Sequence, residues 1–138
     1  MEVLQPPGWP RPSGYANGVA AAGRTVFVAG QIGWNPLTGA FETDDFAAQV
    51  GQALRNVAAV LREAGAGPED VARLTWYVTD REAYLSSAPA VGAAYREVFG
   101  RHYPAMAVVV VAALLESRAQ VEIEATAVVP PLSPALVV

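Results

Sequence analysis

The sequence predicts an α+β domain of order β-β-α-β-α-β-β, with two helices packed on one face of a sheet. Three observations lead there. Apolar residues recur at helical spacing between residues 46 and 65. Residues 24–30, 68–80 and 119–129 read as strands, rich in β-branched and aromatic side chains and bounded by turn residues. Finally, 138 residues that are 53% hydrophobic and 16% charged suffice for one sizeable core. The whole chain, 1–138, is read as a single domain, with the proline-rich residues 130–138 as an extended tail.

The first two strands are expected at 15–21 and 24–30, joined near Gly23 as a hairpin. Asn35 to Gly39, "NPLTG", is a turn signal, and Thr43, Asp44 and Asp45 offer an N-cap to the first helix. On that helix Phe46, Val50, Ala53, Leu54, Val57, Val60 and Leu61 form one stripe, and Gly65 supplies the C-terminal stop. The third strand should set Val71, Arg73, Thr75 and Tyr77 on one face, with Ala72, Leu74, Trp76 and Val78 on the other. A second helix is expected over 81–99, ended by Gly100. Strands at 105–114 and 119–129 complete the order. The first of these is apolar at odd and even positions alike, so both its faces should be buried, most simply by self-association.

Composition narrows the chemistry. Cysteine is absent, which removes disulfides and thiol nucleophiles. The nine basic residues are all arginine, so no lysine can form a Schiff base. A net charge of −4 without a basic stripe argues against nucleic acid as a partner. With one histidine, a multi-histidine metal site cannot be built, and neither metal nor cofactor is expected. The apolar run 105–115 is too short to span a bilayer and residues 1–14 lack a signal peptide's apolar core, so a soluble, cytoplasmic protein is expected.

Glu122 and Glu124 share one face of the last strand because side chains two apart point the same way. Both suit a solvated outer surface; alternatively, one lines a cleft between subunits, where it could move protons. His102, between Gly100 and Pro104, suits a turn-packing role, since catalysis by it would need a positioned partner. Trp34, Trp76 and Tyr77 read as core or interface aromatics.

The segments "SGYANGV", "VFVAGQIGWNPLTG", "ALRNVAAVLREAGAGPEDVARLTWYVTD", "AYREVFGRHYPA" and "VEIEATAV", in this order over residues 13–129, resemble the RidA/YjgF family. The resemblance implies a chorismate-mutase-like fold and a homotrimer with its sheets around a central barrel and clefts between subunits. Well-known members hydrolyse reactive imines and enamines to 2-keto acids and ammonia. In them an arginine after "P-A" grips the substrate carboxylate, and a tyrosine, a serine, an asparagine and a glutamate complete the cleft. By this resemblance Tyr15 and Glu122 are the catalytic candidates, and Gly30 and Gln31 match the family's "GQ". Three positions depart: Met106 replaces the arginine, Ala29 the serine and Gly92 the asparagine. The implied substrate-binding set is Ala29, Gly30, Gln31, Gly92, Met106 and Val108.

Methionine offers no charge and essentially no donor, so a carboxylate would lose its anchor at 106 unless Arg24 or Arg101 replaces it. Two readings stay open. One is an enzyme hydrolysing or tautomerising a neutral or largely apolar imine, enamine or related metabolite. The other is a trimer that binds or senses a small ligand without chemistry.

Overall fold

A computed structural model of the chain describes residues 1–131. A four-stranded mixed sheet carries the fold, built from β3 (Arg24–Ile32), β4 (Val71–Val78), β5 (Ala105–Val110) and β6 (Val121–Val129) in the order β3-β6-β4-β5. Strands β4 and β5 are parallel, while β6 is antiparallel to both its neighbours. Helices α1 (Phe46–Glu63), α2 (Arg81–Ser86) and α3 (Ala88–Phe99) complete the mixed α+β architecture. A separate ribbon pairs β1 (Glu2–Leu4) with β2 (Gly18–Ala20).

The core lies between the helices and one face of the sheet. Val121, Ile123, Ala125 and Ala127 of β6 are buried there, as the period of a strand requires. The stripe of α1 packs onto them with Leu54 and Leu61 fully buried, each contributing about 1.5–3 kcal/mol relative to exposure. Only Val60 of the expected stripe stands partly in solvent. Asp45 caps α1 by accepting from the Ala48 N–H. At the other end Gly65, at φ +71°, lets its own N–H and that of Ala66 reach the carbonyls of Arg62 and Leu61, a Schellman closure.

Two buried amides on α1 had no signal in the hydrophobic pattern. Gln49 donates to the carbonyls of Thr43 and Arg118 and accepts from the Gln120 N–H. Asn56 donates to the carbonyls of Ile32 and Trp34. Each thereby ties the helix to backbone groups at or beyond the ends of strands.

Four expectations about elements are corrected. The strand at 15–21 does not form a hairpin with 24–30; its ordered part, β2, pairs with β1. Ala16 is bridged to Ala105 at the β5 edge, while Arg24 starts β3 at the opposite edge, so the chain between them must cross the end of the sheet. The helix expected over 81–99 breaks at Ser87 because Pro89 lacks the N–H that would bond back and crowds the preceding turn. The strand expected over 105–114 stops at Val110, since its neighbour β4 ends at Val78 and offers no ladder beyond. A bulge between Val71 and Arg73 turns Val71 into the core, away from the face of Thr75 and Tyr77.

The face of the sheet away from the helices is uncovered. Phe27 is 79% exposed there, and Val109 on the edge strand is 41% exposed. Among the described residues no helix is long and apolar enough to cross a membrane. All but the first two residues of the tail expected at 130–138 lie outside the described residues.

Tyr95 gives the fold an alkaline limit. Its ring stacks between Phe99 and Tyr103, and its hydroxyl donates to the carbonyl of His102. Burial pushes this phenol well above the ordinary tyrosine value, and charge on Tyr103 pushes the same way. The folded state therefore keeps a proton that the unfolded chain releases near pH ~10, so stability is complete below that pH and falls as pH rises through it. The melting temperature should drop between about pH 9 and about pH 11. Tyr95→Phe should cost about 1 kcal/mol at neutral pH and flatten that dependence. An unchanged alkaline slope would discount the assignment.

Candidate functional site

The residues expected to form the site fall into two groups on opposite faces of the sheet. Tyr15, Gly92, Met106 and Val108 line one cavity of about 540 Å³. Met106 and Val108 pack toward the helix side from β5, Gly92 comes from α3, and Tyr15 lies just before Ala16, whose N–H donates to the Pro104 carbonyl. Ala29, Gly30, Gln31 and Glu122 belong to the β3–β6 pair instead.

There a bulge between Val28 and Gln31 inserts one extra residue, and the backbone at Gly30 comes up against Glu122. A Cβ on Gly30 would stand 2.7 Å from Glu122 Cδ, so glycine is what lets this carboxylate lie along the strand. Glu124, on the same face, accepts a 2.7 Å hydrogen bond from the Tyr77 hydroxyl. That bond, with burial and the negative charges of Glu124 and Glu122, raises the Tyr77 phenol above its ordinary value. One chain thus commits Glu124 to Tyr77 and keeps Glu122 away from the Tyr15 cavity. Gln31 donates to the Ala29 carbonyl within the bulge.

His102 is held structurally: its Nε2 is 2.7 Å from the Val71 carbonyl, and its own carbonyl accepts from Tyr95. Neither arginine considered as a substitute for position 106 reaches the cavity. The Arg24 guanidinium donates to the Ala64 carbonyl at the end of α1, and Arg101 lines a neighbouring cleft with His102.

An Endoribonuclease L-PSP family model matches residues 10–129. This chain belongs to that family, the RidA/YjgF proteins. The 2-iminobutanoate/2-iminopropanoate deaminase of Homo sapiens is 33% identical over 112 residues, covering 81% of this chain and 78% of that protein. The conserved Rid-family protein YyfB from Yersinia pestis superposes with a TM-score of 0.81 at 35% identity, over 93% of this chain and 98% of that one. The YjgF gene product of E. coli does so at 0.65 and 37%, over 83% and 87%.

Two residues of this RidA/YjgF chain line the cavity without belonging to the site set expected from the sequence. Arg96 of α3 lines the Tyr15 cavity, and its Nη1 lies where a Cβ on Gly92 would be 3.1 Å away. The spacing is legible in the sequence, since residues 92 and 96 are one helical turn apart. Trp76 is 2% exposed, as a core aromatic should be, yet it also lines the cavity, edge-on to Tyr84. Its indole Nε1–H is buried without a partner.

Proposed function

We propose that this RidA/YjgF chain is a small-molecule enzyme that hydrolyses or tautomerises an imine or enamine in the Tyr15 cavity, completed by Glu122 from a second copy. What carries the reading is the separation of Tyr15 from Glu122 across one sheet, together with an uncovered outer face on which Phe27 is exposed. A second chain seated on that face would bury it and could bring a carboxylate to the cavity, which is the homotrimer expected from the resemblance. The deaminase name of the human relative supports the reaction class. A net charge of −4 with no lysine speaks against RNA as substrate.

In the hydrolysis, the Glu122 carboxylate takes a proton from water as its oxygen attacks the imine carbon. The C=N bond becomes a C–N single bond in a carbinolamine. The same group returns that proton to nitrogen, completing the neutral carbinolamine, and then carries the hydroxyl proton to the amine as the C–N bond breaks, so that ammonia leaves and a C=O bond remains. Tautomerisation uses the same proton transfer between carbon and nitrogen.

The three apolar departures, Ala29, Gly92 and Met106, favour the second reading of a binding or regulatory trimer without chemistry. A coupled assay separates them: a pyridoxal-phosphate lyase generates a small imino acid, and keto-acid formation is followed with and without the protein. Acceleration above the uncatalysed rate supports the enzyme; none at stoichiometric concentration, across small and aromatic imines, favours the binding protein. With Met106 in place of the guanidinium, a small imino acid should react about tenfold to a hundredfold more slowly than with an arginine-bearing relative. Met106→Arg should recover part of that, and Ala29→Ser with Gly92→Asn should add to it non-additively if the three act as one site. Equal rates for this chain and the relative would contradict this view of position 106.

A further inference from the structure

The Tyr15 cavity is unbalanced in charge. Within one chain Arg96 is the one formally charged side chain among its lining residues, and the Glu122 that a second copy would bring is committed to the proton transfer proposed above. Nor is the arginine neutralised elsewhere, because the salt bridge among the described residues joins Arg118 to Asp44. The guanidinium lies over Gly92, where the missing side chain leaves it room. A position in the last turn of α3 suits a cation through the helix dipole, but this does not account for a cation over a cavity lined by donors.

The remaining polar groups include donors. Tyr15 and Tyr84 add hydroxyls that can donate. Burial raises the Tyr84 phenol, so that group keeps its proton throughout the neutral range. The walls are otherwise flat and apolar: Trp76 stands edge-on to Tyr84, the stacked pair Tyr95 and Tyr103 borders it, and Met106 and Val108 form the strand side. A volume of about 540 Å³ is far more than a three-carbon acid fills.

We infer that this cavity takes an anion with a flat apolar body, an aromatic carboxylate, with Arg96 as its counter-charge. The inference deepens the function proposed above by naming its substrate class, and replaces the neutral substrate expected from Met106. The anionic group is held from helix α3, and Met106 contributes apolar wall where the resemblance implies an arginine.

The test uses an unreactive pair of equal shape, 3-phenylpropanoate and its neutral amide 3-phenylpropanamide, titrated by calorimetry into wild type, Arg96→Gln and Arg96→Lys. The wild type should bind the acid at least about tenfold more tightly than the amide, with a preference that shrinks as salt is added. Arg96→Gln should bind both alike, and Arg96→Lys should keep part of the preference, since it retains the charge without the fork. Arg96 is exposed, so both variants should melt with the wild type. Acid preference lost with Arg96, in a protein that turns over no imine, supports the anion site and sinks the proposed reaction alone. Turnover without acid preference, a preference retained in Arg96→Gln, or binding of neither probe overturns the inference.

Discussion

Glu122→Gln should lower imine turnover by about a hundredfold to ten-thousandfold, the usual contribution of a positioned general acid or base. The substitution keeps the shape of the side chain, so its contact with Gly30 should survive and the melting temperature should stay within a few degrees. What is lost is the proton acceptor. An amide can hold a water by hydrogen bonds, yet it cannot take the proton as the water attacks. The matched control is Glu124→Gln, because Glu124 is already bonded to Tyr77 on the same face; its effect on rate should be small by comparison. The coupled assay measures both. A Glu122→Gln protein that turns over at the wild-type rate would remove this carboxylate from the mechanism.

Gly33→Ala should destabilise the fold by about 3 kcal/mol, at the upper end of what overpacking costs. Gly33 follows β3, and a Cβ there would stand 2.6 Å from Gln49 Cβ and 2.7 Å from both the Cα and the carbonyl oxygen of Gln49. Two of these atoms are helix backbone, so no rotamer change relieves the contact and α1 itself must move. Moving it disturbs the three hydrogen bonds through which Gln49 ties the helix to Thr43, Arg118 and Gln120, each costly to leave unmade in a buried site. Gly65→Ala is the comparison. Its added Cβ meets nothing within 4 Å, and the positive φ alone should cost about 1 kcal/mol. Urea melts compare the two, and a Gly33→Ala protein within 0.5 kcal/mol of wild type, the scatter ordinary for surface substitutions, would mean that α1 is not seated as described.

Much of this was legible in the residues because the signals are local. The spacing of Phe46, Val50, Leu54, Val57 and Leu61 predicts a buried helical face, and the alternation of Val121, Ile123, Ala125 and Ala127 with Glu122 and Glu124 predicts a two-sided strand. Asp45 and Gly65 mark the ends of α1 by capping chemistry that depends on neighbours a few positions away. Pro89 is a readable signal too: the apolar content of 81–99 suggests one helix, and proline imposes two.

The sequence by itself determined the element types, the two faces of β6, the family segments and the absence of arginine at position 106, since each is a property of a residue and its near neighbours. The tertiary structure alone decided which residues share a cavity. Arg96 joins Met106, Trp76 and Tyr15 because α3 lies beside the β5 edge, while Glu122 is held on the opposite face with Gly30. It also decided that β2 pairs with β1 and that β5 stops at Val110. Such outcomes depend on strand order and on where a neighbouring strand ends, contacts between residues far apart in the chain that no local pattern encodes.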